Sequence, residues 1–171
     1  MDAEKPKILI VDDEVEILKV LQKTLEDDFE VVTTPRAKEA LEMIDDSVQI
    51  ILSDQRMPEM SGSEFFKIVR EKHPQIVRII MSGYSDMNAL ISSVNFGEIF
   101  RYVSKPWELH ELLETIDLAL AKYKENISHV KLLDENKHLV ERNREVANRL
   151  TQTMEELKRV QLELEKLNKK S

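Results

Sequence analysis

Apolar runs too short for membrane spans alternate with segments of helical period through the first two thirds of the chain. Residues 8–11, 50–52, 77–81 (interrupted only by Arg78) and 102–103 are near-continuous hydrophobic stretches. Together with a more polar run at 29–33 they predict strands near 7–11, 29–33, 49–53, 77–81 and 99–103. Runs of this kind are expected of strands buried on both faces of a parallel sheet. The segments between them predict helices near 14–27, 36–45, 63–72 and 86–95, and from 107 onward. Pro35, Pro58 and Pro74 fall in the connections, where chain punctuation belongs. Strand–helix alternation predicts an α/β fold, a doubly wound parallel sheet with right-handed crossovers. The run from Phe29 to Thr33 is the most polar and is expected at a sheet edge.

The pattern changes after Pro106. No proline or glycine occurs in the remaining 65 residues, and the only glycines are Gly62, Gly83 and Gly97. The last helix is therefore expected to run from Trp107 to about Lys170, roughly 96 Å at the α-helical rise. Its later part carries a seam at alternating steps of four and three: Leu132, Asn136, Leu139, Asn143, Val146, Leu150, Thr153, Leu157, Val160, Leu164 and Leu167. Asn136, Asn143, Leu150, Leu157 and Leu164 share one heptad position, a. A sustained 3.5-residue repeat predicts a coiled coil, and asparagine at a fixes register and favours a parallel dimer. An earlier seam, Ile116, Leu120, Tyr123, Ile127 and Val130, does not join the later one. The phase shifts near 130–136, with Leu133 as a bridge, which predicts a locally altered winding that either transmits a rotation or is simply tolerated. Val140, Ala147 and Met154 widen the apolar stripe on one side, leaving room for a four-helix assembly or a further partner helix.

Charge divides the chain in the same place. Residues 124–171 carry 11 basic and 9 acidic side chains, leaving 14 basic and 24 acidic for residues 1–123. The expected organisation is an acidic domain over 1–123 and a coiled-coil extension over 124–171. An acidic domain argues against nucleic acid as the main ligand, because phosphate backbones need a basic face. The chain has no cysteine, which excludes disulfides, thiol nucleophiles and thiolate metal sites and suits a reducing compartment. No run has the length of a membrane span and no apolar signal segment opens the chain, so no membrane insertion and a cytoplasmic location are expected.

The chemistry sits where the strands end. The first run ends on Asp12 and Asp13, the third leads through Ser53 to Asp54, the fourth ends on Ser82, and the fifth on Lys105 and Pro106. In open α/β sheets, ligands bind outside the carboxyl ends of the strands. Singly, each residue reads as a helix cap, a turn residue or a solvated charge. Jointly, three carboxylates, a hydroxyl and a lysine suit Mg²⁺ and a phosphoryl group. A carboxylate is also a competent nucleophile, forming an aspartyl-phosphate.

The runs Ile8-Leu-Ile-Val-Asp-Asp-Glu14, Ser53-Asp-Gln-Arg-Met-Pro-Glu-Met-Ser-Gly62, Met81-Ser-Gly-Tyr-Ser-Asp86 and Tyr102-Val-Ser-Lys-Pro-Trp107 resemble the receiver domain of two-component response regulators. The resemblance covers about residues 5–123 and implies a (βα)5, flavodoxin-like fold. It implies that Asp54 accepts a phosphoryl group from a phosphohistidine on a sensor histidine kinase or phosphotransfer protein. It implies Mg²⁺ bound by Asp13, Asp54 and the Arg56 backbone carbonyl, with Asp12 acting mainly through water. Ser82 takes the place of the switch hydroxyl, Tyr102 of the switch aromatic and Lys105 of the phosphate-binding lysine, with a cis bond before Pro106. Phosphorylation would draw Ser82 toward the phosphoryl group and let Tyr102 turn inward. The face formed by the helix predicted over 86–95, the last strand and the long helix would then be remodelled, altering a homodimer joined by a parallel coiled coil.

Arg56 and Tyr84 occupy positions that tune acyl-phosphate lifetime in this family. Neither offers a carboxylate or carboxamide, so slow self-dephosphorylation is expected. A haloacid-dehalogenase-like phosphatase would need a second Asp where Arg56 stands. A kinase reading would need an accepting histidine, but His129 and His138 are followed by no glycine-rich nucleotide segment. The remaining alternatives are a constitutive coiled-coil scaffold with an inert or regulatory receiver, a coil that recruits a downstream protein, and the N-terminal part of a larger regulator.

Overall fold

The computed structural model describes residues 5–83 and 99–168. Tyr84 and the helix expected over 86–95 lie outside the described residues, as does the side chain of Leu167. The described elements are β1 (Lys7–Val11), α1 (Val15–Leu25), β2 (Glu30–Thr34), α2 (Ala37–Met43), β3 (Val48–Asp54), α3 (Gly62–Lys72), β4 (Val77–Ser82), β5 (Arg101–Ser104) and α4 (Leu109–Asn168). The five strands form one parallel sheet in the order β2-β1-β3-β4-β5, a flavodoxin-like arrangement. The polar β2 lies at an edge, as its composition predicts.

Alternating side chains divide the core into two layers. Ile8 and Ile10 of β1, with Ile50, Leu52, Ile79 and Met81, face Leu18, Leu21 and Leu25 of α1 and Leu112, Ile116 and Ala119 of α4. Leu9, Val11, Ile51 and Ile80 face Ala37 and Ala40 of α2 and Phe65, Phe66 and Val69 of α3. The i, i+3, i+7 spacing of the α1 leucines sets one stripe against the sheet, and full burial of each contributes about 1.5–3 kcal/mol.

Strand limits move slightly from the expected ones, for physical reasons. Phe29 donates its N–H to the Leu25 carbonyl and packs into the α1 layer, so β2 starts one residue later. Ile99 is buried against the α3 layer, yet β5 pairs with β4 only from Arg101. β3 extends to Asp54, making that carboxylate the last residue of a central strand.

The chain divides into two compact units, Met1–Ile127 and Ser128–Ser171. Within the first, Ile116 is fully buried under the sheet and Leu120 and Tyr123 pack on the same layer, while the Asn126 amide donates to the Gln75 carbonyl at 3.1 Å. Ile116, Leu120 and Tyr123 of the earlier seam thus form a packing face of the α/β domain, whereas Val130 is exposed. Every described side chain of the second unit is exposed, including Leu132, Leu139, Val146, Leu150, Leu157, Val160 and Leu164. The phase shift read from the sequence therefore falls between a buried seam and an exposed one.

Candidate functional site

The site begins at the β1–α1 junction. Asp12 follows the last residue of β1, is fully buried, and accepts the Glu14 N–H on Oδ1 at 2.9 Å. This Asx turn opens α1, whose N-cap Glu14 makes no side-chain cap of its own. Asp13, the next residue, is exposed. On the neighbouring strand Asp54 is buried, and the Arg56 N–H donates to its Oδ2 at 2.5 Å.

Lys105, the first residue after β5, reaches across the sheet edge to join these carboxylates. Its Nζ lies 2.6 Å from Asp12 Oδ2 and 2.5 Å from Asp54 Oδ1. Burial pushes the Asp12 carboxyl above the usual range, more than the hydrogen bonds from Lys105 and the Glu14 N–H pull it down. Burial also opposes the charge on Lys105, but its bonds to Asp12 and Asp54 outweigh that and hold the ammonium above the usual lysine value. The Lys105–Pro106 peptide bond is cis.

Ser82 ends β4 and is buried. Its carbonyl accepts two donors, the Lys105 N–H at 2.8 Å and the Tyr102 hydroxyl at 2.8 Å. Tyr102 is partly buried, with its ring against the α3 layer. Asp13, Asp54, Arg56, Ser82 and Lys105 line one open cavity of about 430 Å³.

Four residues that the sequence reading gave no role hold this geometry. Gly62 abuts Asp54: a Cβ there would lie 2.3 Å from the Asp54 carbonyl oxygen and 2.7 Å from Ile80 Cδ1. Gln55 ties the loop to α3, its Oε1 accepting from the Ser63 N–H at 3.2 Å and the Ser63 hydroxyl at 2.9 Å. Ser61 and Glu64 form a reciprocal capping box at the start of α3, which holds the Glu64 carboxyl below its ordinary value. A serine three residues before a glutamate was a legible cap signal. The close approach at Gly62 depends on a neighbouring strand and was not.

The donor set fits a magnesium ion. Asp13 and Asp54 line the same cavity with hard carboxylate ligands, whereas Asp12 is fully buried and holds Lys105 and the Glu14 N–H behind them. Among the described residues no three acidic or imidazole groups are arranged to cage a metal by themselves. Two carboxylates beside an open, solvent-accessible space suit an ion that keeps several waters and takes phosphate oxygens.

Residues 8–117 match the family described as response regulator receiver domain. The chain is 41% identical over 121 residues to a hydrogenase transcriptional regulatory protein, HoxA, of Cupriavidus necator, covering 70% of this chain and 25% of that protein. It thus spans about a quarter of the length of the curated relatives it matches. A response regulator receiver domain protein from Clostridium thermocellum is similar in structure, with a TM-score of 0.66 at 30% identity, covering 69% of this chain and 96% of that one. An adenylate cyclase from Rhodopirellula baltica superposes with a TM-score of 0.72 at 32% identity, covering 76% and 98% of the respective chains. A lysine-bridged carboxylate pair at the carboxyl edge of a five-stranded parallel sheet, matched over most of its domain to known receivers, establishes that the chain belongs to the response regulator receiver family.

Proposed function

We propose that Asp54 is the phosphoacceptor of a two-component signalling protein whose output is the geometry of a coiled-coil dimer. Receiver domains take phosphoryl groups from histidine kinases and bind Mg²⁺ at their acidic pocket. The observation that carries the reading here is the Asp54 carboxylate, held at the floor of an open cavity by Lys105 and the Arg56 N–H.

An Asp54 oxygen attacks the phosphorus of a phosphohistidine from a sensor kinase or phosphotransfer protein. The P–O bond forms as the P–N bond breaks, and the imidazole leaves with the bonding electrons and takes up a proton. Lys105 then pairs with one phosphoryl oxygen, and the Ser82 hydroxyl donates to another. Asp13, Asp54 and the Arg56 carbonyl would hold Mg²⁺, with Asp12 acting through water. When bound, the ion neutralises charge shared by the carboxylates and the phosphoryl group. Arg56 brings no carboxylate or carboxamide to position a hydrolytic water, which supports a long-lived acyl phosphate.

Repositioning Ser82 pulls on a carbonyl that already holds Tyr102 and Lys105. That strain reaches α4, which packs Leu112 and Ile116 on the same sheet and carries the heptad seam further along. Exposed leucines and valines at a and d, with Asn136 and Asn143 at a, support a parallel homodimer. No described helix is long and apolar enough to cross a membrane.

Small-angle scattering with in-line mass determination tests the reading, with and without Mg²⁺ and beryllofluoride. The expected result is a dimer whose shape changes with beryllofluoride and does not change in Asp54→Asn. An identical dimer in every condition makes the coil a constitutive scaffold and overturns the switch.

A further inference from the structure

The second unit carries an apolar stripe that its own dimer seam does not use. Heptad position e, adjacent to a on the helix surface, holds Leu133, Val140, Ala147 and Met154 through successive heptads. Leu133 is 57% exposed, Val140 69% and Met154 53%. In a two-stranded coil, position e ordinarily carries charges that pair with position g of the other helix. Here g carries Glu135, Arg142, Arg149 and Glu156, which find no opposite charge at e. An a/d/e face is the width expected of a helix with more than one neighbour.

In the single chain an open surface recess is lined by Leu133, Asn136, Lys137, Val140, Glu141 and Arg144, so the stripe lies between the seam at Asn136 and an edge of charged side chains. In the parallel dimer proposed above, e faces g of the second copy, so Ala147 meets Arg142 and Met154 meets Arg149 of that copy. Each flank then has an apolar floor and walls carrying four cations, Lys137 and Arg144 from one helix and Arg142 and Arg149 from the other. In the two rows that adjoin the stripe only the second copy's Glu135 opposes them; Asp134, Glu141 and the second copy's Glu145 stand one row further out. The stripe ends where e becomes Gln161 and Asn168 and the g position turns acidic at Glu156 and Glu163.

We infer that each flank of the dimer, over residues 133–154, is a docking gutter for an amphipathic helix with acidic edges on a partner protein. The inference rests on the parallel-dimer reading. A second copy of the dimer is a poor occupant, because it brings the same basic walls and like charges meet. An acidic-edged helix buries the e stripe and pairs with both cationic walls at once.

The test uses the full chain and two synthetic peptides of about four heptads, the length the stripe spans. Both have leucine at a and d; one is flanked by glutamate and the other by lysine. Anisotropy reads binding, and sedimentation velocity reads mass. The expected result is a dimer that takes two glutamate peptides, each bound roughly tenfold more tightly than the lysine peptide, with the difference lost in high salt. Val140→Gln combined with Met154→Gln removes binding and keeps the dimer mass. Arg144→Glu combined with Arg149→Glu inverts the preference. Equal binding of both peptides overturns the inference, as does a complex of one chain with one peptide, which is strand exchange at the seam. A tetramer of the chain alone also overturns it. A monomeric chain fails the dimer reading itself, whereas a dimer indifferent to the glutamate peptide fails the gutter alone.

Discussion

The Tyr102 hydroxyl donates to the Ser82 carbonyl oxygen at 2.8 Å, so the aromatic side chain of β5 holds the backbone that carries the site's hydroxyl. Tyr102→Phe keeps the ring's packing and removes only the donor. The carbonyl retains the Lys105 N–H, so no buried acceptor is orphaned and the stability loss is about 1 kcal/mol. The larger expected effect is on switching: the variant binds beryllofluoride but transmits a smaller scattering change. A variant with full response would show that the tyrosine hydroxyl is not part of the linkage.

Lys105→Met leaves two buried carboxylates without their shared cation, an expected loss of roughly 3 kcal/mol near neutral pH. The sign of the pH dependence follows from Asp12, whose folded pKa is already raised by burial. Such a group supports folding fully below its unfolded value of 3.8, and that support is lost as pH rises through the folded pKa. Removing Lys105 raises the folded pKa further and enlarges the loss. Denaturant midpoints should therefore fall more at pH 7 than at pH 4, as compared with the parent at each pH. An equal fall at both would contradict the assigned coupling.

Gly62→Ala tests the support beneath Asp54. Alanine in place of glycine at a helical position ordinarily gains about 0.5–1 kcal/mol. The new methyl would meet the Asp54 carbonyl at 2.3 Å, and backbone gives less readily than the Ile80 side chain. Overpacking of about 1–3 kcal/mol then wins, with a net loss of stability and weaker beryllofluoride binding. A more stable variant with unchanged binding would show that the β3–α3 junction relaxes freely.

The sheet and the gathering of polar groups at its edge were legible because each apolar run ends on a residue that the fold brings to that edge: Asp12, Asp54, Ser82 and Lys105. Those signals are local. Gly62 was not legible, since its constraint comes from Ile80 on another strand and from the carbonyl of Asp54. The roles of Gln55 and of the Asn126–Gln75 bond likewise depend on chain segments brought together only by the fold. The partner of the early heptad seam needed the fold for a related reason. A 3.5-residue pattern over Ile116, Leu120 and Tyr123 is indistinguishable in sequence from a coil, yet its neighbour is the domain's own sheet.

The coiled coil proposed for the later seam would place polar residues in a core that is ordinarily apolar. Asn136 and Asn143 occupy a positions flanked by Leu132, Leu139 and Val146 at d. An asparagine at a lowers the stability of a two-stranded coil and penalises registers that leave it opposite an apolar side chain. Asn136→Leu combined with Asn143→Leu should therefore raise the melting temperature of the coil and broaden its assembly. Sedimentation equilibrium would then show species larger than the dimer, most readily through the a/d/e face around Val140. If the double variant melts lower, or stays a single dimer of unchanged register in a cysteine cross-linking scan, the asparagines are not the register device. The 3.5-residue pattern would then have to specify parallel pairing through Leu150, Leu157 and Leu164 alone.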